Sequence, residues 1–250
     1  MPGAAVRRPV RAMLAAGGPS DKAPVPSAAM EPTVRPAPRT VAIVPVGSLE
    51  RAKSRLGAVL DAEERRDLVL RLAEATIRAA VATPGVAETL VVTPDDEVRD
   101  LAIRAGARPM RQRSRGLNDG LREARADAIA GGAHAVLILP IDLPRVSPEA
   151  IAEVLATAAA HQPPIVAIVA DRHGRGTNAL LLAPPDIIDV HFGGDSHDAH
   201  ASAAAAAGAW VVELDGPLSI DIDTPDDLLL AEAAGGIPGV AGGLPESVGG

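Results

Sequence analysis

The sequence predicts an α/β domain with a mainly parallel, partly mixed sheet flanked by helices. Two observations carry that prediction. Short β-branched runs, such as residues 40–46 and 135–139, are apolar throughout, as strands covered on both faces are, and they alternate with segments of helical period. From Ile165 onward the strand-like segments follow one another with fewer helices between them, so part of the sheet is expected to be mixed.

Taken in order, the chain opens with a Pro-, Ala- and Gly-rich stretch over residues 1–38 that lacks periodicity and is expected to be a disordered tail. Met30 is an alternative start that sequence does not decide. Residues 39–234 form the expected folded domain. The first strand, 40–46, is followed by Asp61-Ala62-Glu63-Glu64, a capping-box-like helix start, and by Leu68, Leu72, Ile77 and Val81 on one helical stripe. A strand over 89–92 ends at Thr93-Pro94, and Asp95 and Asp96 open a helix closed by Gly106. Residues 108–110 make a short strand. Asn118 or Asp119 is expected to cap a helix running to Ala130, which Gly131-Gly132 stops. The most apolar strand, 135–139, runs into Pro140-Ile141-Asp142-Leu143-Pro144, and Ser147-Pro148-Glu149 begins another helix. Strands are expected over 165–169, 180–182, 210–214 and 220–222, and residues 235–250 form a Gly-rich flexible tail.

Composition narrows the function. The apolar content of 47% suffices for a core, yet it contains one Phe, one Trp and no Tyr, so base stacking is a poor mode of recognition. A net charge of -8 likewise disfavours a nucleic-acid partner. The absence of cysteine excludes disulfides, thiolate metal sites and cysteine nucleophiles. No apolar run approaches the roughly 20 residues of a membrane span. Arg7, Arg8 and Arg11 precede an apolar patch too short for a signal peptide, and a cytoplasmic location is expected.

Four places hold candidate chemistry. Asp221 and Asp223 alternate with Ile220 and Ile222, so a strand there would set both carboxylates on one face. Such a pair suits a divalent cation bound by oxygen, or Asp223 helps cap the helix that Thr224, Pro225 and Asp227 announce. Asp142 follows the most buried strand, as a ligand-facing acid or as a turn residue. The loop after the first strand carries Arg51, Lys53 and Arg55, placed for phosphate or simply solvated, and it matches neither a dinucleotide fingerprint nor a P-loop. Two glycine-bearing loops, 174–180 and 192–196, offer backbone N–H groups and hydroxyls to an anion, or are ordinary turns. His197 and His200 share a helix start at a spacing of three, but without a third ligand zinc is disfavoured. No serine-hydrolase elbow is present. Together these residues suit Mg²⁺-dependent chemistry on phosphates.

Five blocks in order extend the argument: Val44-Pro45-Val46 with Ala52-Lys53-Ser54-Arg55-Leu56; Gly116-Leu117-Asn118; Asp142-Leu143-Pro144; Gly176-Thr177-Asn178-Ala179-Leu180 with Phe192-Gly193 and Ser196; and Asp221-Ile222-Asp223-Thr224-Pro225. In these the chain resembles the 2-phospho-L-lactate or phosphoenolpyruvate guanylyltransferases of coenzyme F(420) biosynthesis, over about residues 40–230. The resemblance implies a Rossmann-like nucleotidyltransferase fold of the nucleotide-diphospho-sugar transferase type. It also implies transfer of GMP from GTP to phosphoenolpyruvate or 2-phospho-L-lactate, with release of pyrophosphate. By motif position, Asp142, Asp221 and Asp223 would hold Mg²⁺, with Asp142 also catalytic. Thr177, Gly193 and Ser196 would bind the small phospho-carboxylic acid. Lys53 and Arg55 would face the triphosphate and act in catalysis, and Asn118 would face the nucleoside. The family usually has lysine directly after Val-Pro-Val, where this chain has Gly47. A relative acting on a sugar phosphate and a non-catalytic nucleotide-binding protein are the alternatives. The assembly stays open, a homodimer being one option.

Overall fold

The computed structural model describes residues 39–51 and 53–233; the tails expected over 1–38 and 235–250 lie outside the described residues. The described chain forms strands β1 (Thr40–Pro45), β2 (Val86–Thr93), β3 (Arg108–Arg111), β4 (Ala135–Ile138), β5 (Ile165–Ala170), β6 (Thr177–Ala183) and β7 (Trp210–Leu214). Its α-helices are α1 (Ala62–Ala82), α2 (Asp96–Arg104), α3 (Leu117–Ala130), α4 (Pro148–Ala159), α5 (Ser196–Ala206) and α6 (Pro225–Ala233).

Helix starts follow local chemistry. The Asp61 carboxylate accepts from the N–H groups of Glu63 and Glu64 (2.8 and 2.9 Å), and Glu64 returns the bond to the Asp61 N–H. Asp95 accepts from Glu97 N at the head of α2, and Ser147 from Ala150 N ahead of Pro148 in α4. α3 departs from expectation. It begins at Leu117 after Gly116, whose φ of 94° favours glycine, and Asn118 sits inside it. The Asn118 carboxamide cannot cap because the backbone of Phe192 engages it from across the fold.

The strands form one sheet in the order β3-β2-β1-β4-β6-β5-β7. All pairings are parallel except those of β6, which is antiparallel to both β4 and β5. The expected α/β class with a partly mixed sheet is therefore what the chain forms. The reversal of β6 matters for position. Its first residue, Thr177, pairs with Ala170, the last of β5, so β6 begins at the edge where the parallel strands end. Thr177 and Asn178, expected in a loop, are thus strand residues. Residues 220–222, expected as a strand, pair with no strand. They leave a 3-10 turn (Pro217–Ser219), and the Ile222 N–H bonds to Asp142 O, beyond the end of β4, at 2.9 Å.

Alternate residues of the buried strands feed two cores. One lies against α1, α2 and α4 and includes Val44, Ile77, Leu137 and Ile151; the other lies against α3 and α5 and includes Ile43, Leu121, Leu180 and Ala204. A third, small cluster joins Leu56 and Leu60 to Leu68 and Leu72 of α1 and to Ile222, Leu228 and Ala231. It fastens the segment bearing Lys53 and the segment bearing Asp223 to the same helix. Leu56 is fully buried. Leu56→Ala should therefore cost about 2–5 kcal/mol, read as a lowered midpoint of urea unfolding.

Candidate active site

β1 and β4 are parallel neighbours on either side of the point where the strand order reverses. In open α/β sheets the crevice beyond such strand ends is where ligands bind. Here it opens as a cleft of about 880 Å³ whose walls include Gly47, Ser48, Lys53, Arg55, Arg115 and Asp223. Lys53 stands at a turn in a left-handed backbone conformation, φ 49°. Its Nζ lies 3.0 Å from Asp142 Oδ2 and 2.9 Å from Asp223 Oδ1, and it also donates to the Ile222 carbonyl. Burial alone would lower the Lys53 pKa, but Asp142 and Asp223 outweigh it and leave the ammonium more strongly charged than usual. Arg55, largely exposed, places Nη1 3.6 Å from Asp223 Oδ2.

Asp221 completes the acidic group. Its pKa is raised, first by burial and then by the charge of Asp142, with Asp223 adding to it and a hydrogen bond from Asn178 opposing. Asn178 Nδ2 donates to Leu218 O at 3.0 Å and reaches Asp221 Oδ1 at 3.4 Å. Three neighbouring carboxylates, all oxygen donors, form a set suited to Mg²⁺. They do not make a ready cage. Among the described residues no three acidic or histidine side chains are arranged to hold an ion, and an ammonium stands between two of these acids.

The acidic segment is held by the cap that follows it. Asp227 Oδ2 accepts from Asp223 N (3.0 Å), Thr224 N (2.7 Å) and Thr224 Oγ1 (2.8 Å). Arg172 pairs with the other Asp227 oxygen. Burial would raise the Asp227 pKa, yet the hydrogen bonds from Thr224 and Asp223 and the nearby Arg172 hold it below the usual carboxylate range. The basic run 111–115 is equally built. Glu123 of α3 accepts from Arg113 N (3.0 Å) and Ser114 N (2.7 Å), and Gln112 Nε2 donates to Gly116 O (2.7 Å). The side chain of Arg51 lies outside the described residues.

Thr177, Gly193 and Ser196 gather on a second patch, outside the walls of this cleft, around the start of α5. His197 N–H donates to Arg175 O (3.0 Å), which ties that start to the loop before β6. Gly193 takes φ 137°, and Ser196, the first residue of α5, is buried. Asn118 donates from Nδ2 to Phe192 O (2.9 Å) and accepts from Phe192 N at Oδ1 (2.7 Å), so it secures the Phe192-Gly193 loop to α3. The two histidines do not converge. His197 Nε2 lies 3.5 Å from Glu213, while His200 is fully buried beside Thr177.

Sequence reasoning placed Lys53, Arg55, Asp142 and Asp223 in one place, and the structure brings them together. The cap at Asp227 was expected from the sequence, whereas Asn178 and Glu123 as supports, and the place of His200, were missed. One signal was available for His200. It follows Ser196 by four residues, which puts the two on one helix face.

A switch-point cleft with acids and cations at the carboxyl edge of this mixed sheet defines the protein as a nucleotidyltransferase. A family model described as "Guanylyl transferase CofC like" matches residues 40–233, and the chain belongs to that family. It is 42% identical over 200 residues to the phosphoenolpyruvate guanylyltransferase of Sphaerobacter thermophilus, covering 80% of this chain and 94% of that one. Among solved structures, the fold is similar to a nucleotidyl transferase from Methanothermobacter (TM-score 0.58, 18% identity, 78% of this chain and 97% of that one). It is also similar to glucosyl-3-phosphoglycerate synthase of Mycobacterium tuberculosis, solved with Mg²⁺ and uridine diphosphate (TM-score 0.51, 12% identity, 71% and 69%). Among the described residues no helix is long and apolar enough to cross a membrane.

His200 also gives the fold a pH dependence. Burial, then the neighbouring His191 and His197, lower its pKa from 6.5 to about 4, against a smaller opposing effect of Asp189, and the Phe192 ring covers it edge-on. A depressed histidine leaves the unfolded chain binding more protons between these values, so stability is full above 6.5 and is lost as pH falls through about 4. The loss should reach about 3 kcal/mol, and His200→Asn should flatten that part of the curve of unfolding free energy against pH.

Proposed function

We propose that this protein joins the guanylyl group of GTP to the phosphate of phosphoenolpyruvate, giving enolpyruvyl-diphospho-5'-guanosine and pyrophosphate for coenzyme F(420) biosynthesis. The observation that carries this reading is the cleft itself, where Lys53 and Arg55 meet Asp142 and Asp223 at the strand-order switch. The relative in Sphaerobacter thermophilus, similar along nearly its whole length, is named for that reaction.

In the transfer an oxygen of the acceptor phosphate attacks the α-phosphorus of GTP and forms a new P–O bond. The bond from the α-phosphorus to the bridging oxygen breaks, and pyrophosphate leaves with the electron pair. The acceptor phosphate is already ionised at neutral pH, so no general base is required. The barrier is chiefly electrostatic, because an anion must approach a polyanion. Unit charges 4 Å apart near a protein surface repel by about 4 kcal/mol, and fixed cations at the triphosphate offset such terms without reorganisation. Lys53, Arg55 and Arg115 line the cleft for that purpose. Asp142, Asp221 and Asp223 would hold Mg²⁺, which when bound supplies further positive charge to the phosphates. Thr177, Ser196 and the backbone at Gly193 would hold the acceptor's phosphate and carboxylate as neutral donors. Asn118, with its carboxamide engaged by Phe192, would bear on the nucleoside only through its remaining N–H.

Pyrophosphate release from GTP and Mg²⁺ should be seen with phosphoenolpyruvate, and 2-phospho-L-lactate, 3-phosphoglycerate and sugar phosphates complete the panel. No turnover with either of the first two would sink the reading, and retained GTP binding without turnover would favour a non-catalytic nucleotide-binding protein. Two variants check the charge assignments. Asp221→Asn should abolish Mg²⁺-dependent turnover in a folded protein and shrink the rise in Tm that Mg²⁺ gives the wild type; an undiminished rise would remove Asp221 from the metal site. A Cβ at Gly47 meets nothing within 4 Å. Gly47→Lys should therefore keep Tm unchanged and lower the KM for GTP several-fold, by about the 1.5–3 kcal/mol of a hydrogen bond to a charged group at most.

A further inference from the structure

His200 lies wholly inside the protein, between β6 and the loop that precedes α5, and the transfer reaction as derived above makes no use of it. Its two nitrogens have different partners. Nε2 accepts from the backbone N–H of His191 at 2.9 Å, so Nε2 carries no proton. A neutral imidazole bears its single proton on the other nitrogen, so Nδ1–H donates to Thr177 Oγ1, 3.0 Å away. The Thr177 hydroxyl oxygen is thereby occupied as an acceptor. Its own proton finds no acceptor among the described residues and is left to a ligand. The same ring holds the backbone one residue before Phe192, packs edge-on against the Phe192 ring at 5.3 Å, and so also sets the loop that carries Gly193.

We propose that His200 is the positioning residue of the acceptor pocket: one neutral imidazole fixes the Thr177 hydroxyl as a hydrogen-bond donor and registers the Gly193 loop against it. This rests on the reading that Thr177 binds the phospho-acid. A protonated His200 would point a second N–H at the His191 N–H, donor against donor, and the hold on the loop would fail. His191, His197 and Asp189 are the charged or titratable groups that bear on the ring, and the burial that keeps it neutral at physiological pH acts in the same direction as the two histidines. An anion pocket made this way takes a carboxylate or phosphate oxygen through neutral, directed donors, and it discriminates by geometry where cations would only attract.

The test uses the full-length enzyme and steady-state kinetics with phosphoenolpyruvate and MgGTP varied separately. Thr177→Val should raise the KM for phosphoenolpyruvate about tenfold, as the loss of one hydrogen bond to an anion does, with the KM for GTP within twofold. His200→Gln places a carboxamide near Nε2 and keeps an acceptor for His191 N–H but no donor for Thr177, so it should raise the same KM by a similar factor. His200→Asn leaves an N–H near Nδ1 but no acceptor for the His191 N–H, so it should recover only part of the loss. In the Thr177→Val background His200→Gln should add less than twofold, because the interaction it removes is already gone. Additive effects in the double variant, equal effects on both substrates, or an unimpaired His200→Gln beside an impaired Thr177→Val would overturn the proposal alone. An unchanged KM in Thr177→Val would overturn the reading of Thr177 and this proposal with it. Both His200 variants keep a carboxamide for the buried polar partners, and the midpoint of thermal unfolding reports whether each has folded.

Discussion

Three carboxylates at one edge of a sheet are a liability unless positive charge is placed among them, and this constraint organises much of the molecule. Asp142 and Asp223 share the Lys53 ammonium, and Asp221, which lacks that partner, carries the cost as a raised pKa. Removing the Lys53 ammonium would leave three partly buried carboxylates without that compensation, which costs more than the intact contact contributes. The surroundings are accordingly over-determined. Asp142 follows a buried parallel strand, Ile222 N–H is bonded to the Asp142 carbonyl, and Asp227 gathers three donors from the two residues that follow Ile222. Each of these bonds fixes backbone, so the carboxylates stay close although they repel.

Apolar packing does the remaining work. Leu56, three residues after Lys53, and Ile222, between two of the acids, are both fully buried in the small cluster against α1. The charged residues therefore project from segments anchored by their own apolar neighbours. This explains why the motifs mix charge with leucine and isoleucine. It also bears on the two readings of the acidic stretch, metal site or helix cap, which do not exclude each other. The cap formed by Thr224 and Asp227 holds the backbone of Asp223, so cap and candidate metal site are one construction.

The legible parts of the sequence were those governed by local rules. Buried strands, helix starts such as Asp61 with Glu64, and the class of sheet follow from short-range periodicity and capping, and the structure agrees with them. The acidic and basic members of the cleft were legible only as a set, since each alone had an ordinary reading as a cap, a turn residue or a solvated loop. What failed depended on long-range partners. Residues 220–222 have a strand's alternation, but they pair with no strand, and the backbone of Ile222 is bonded instead to Asp142 after β4. Asn118 has the composition of a cap, but Phe192, 74 residues away, engages its carboxamide. His200, weighed as a metal ligand by its spacing from His197, owes its place to Thr177 and His191, which no helical period reveals.

The two halves of the site obey different physics. In the cleft, several cations suit a triphosphate whose charge is spread over many oxygens. Arg55 there is largely exposed, and its contact with Asp223 is long. Around α5 two uncharged groups, one half-buried and one buried, are held by hydrogen bonds at both ends: Asn118 to both backbone atoms of Phe192, and His200 to Thr177 and His191. Charge attracts any anion, whereas fixed neutral donors penalise a ligand whose oxygens fall in the wrong place, because a buried donor left without an acceptor costs about 1–3 kcal/mol. For a reaction that requires no general base, rate on the proposed mechanism then resides in the charged half and choice of acceptor in the neutral one. The reversed strand β6 lets the second half exist, since it alone begins where its neighbours end and, with an irregularity in its pairing to β5 at Asn178, delivers Thr177 and Asn178 to the ligand edge. Thr177 turns to His200, and Asn178 to Asp221. Two consecutive residues thereby connect the patch around α5 to the acidic group, and on the proposed mechanism the geometry of the transfer depends on the register of that one strand.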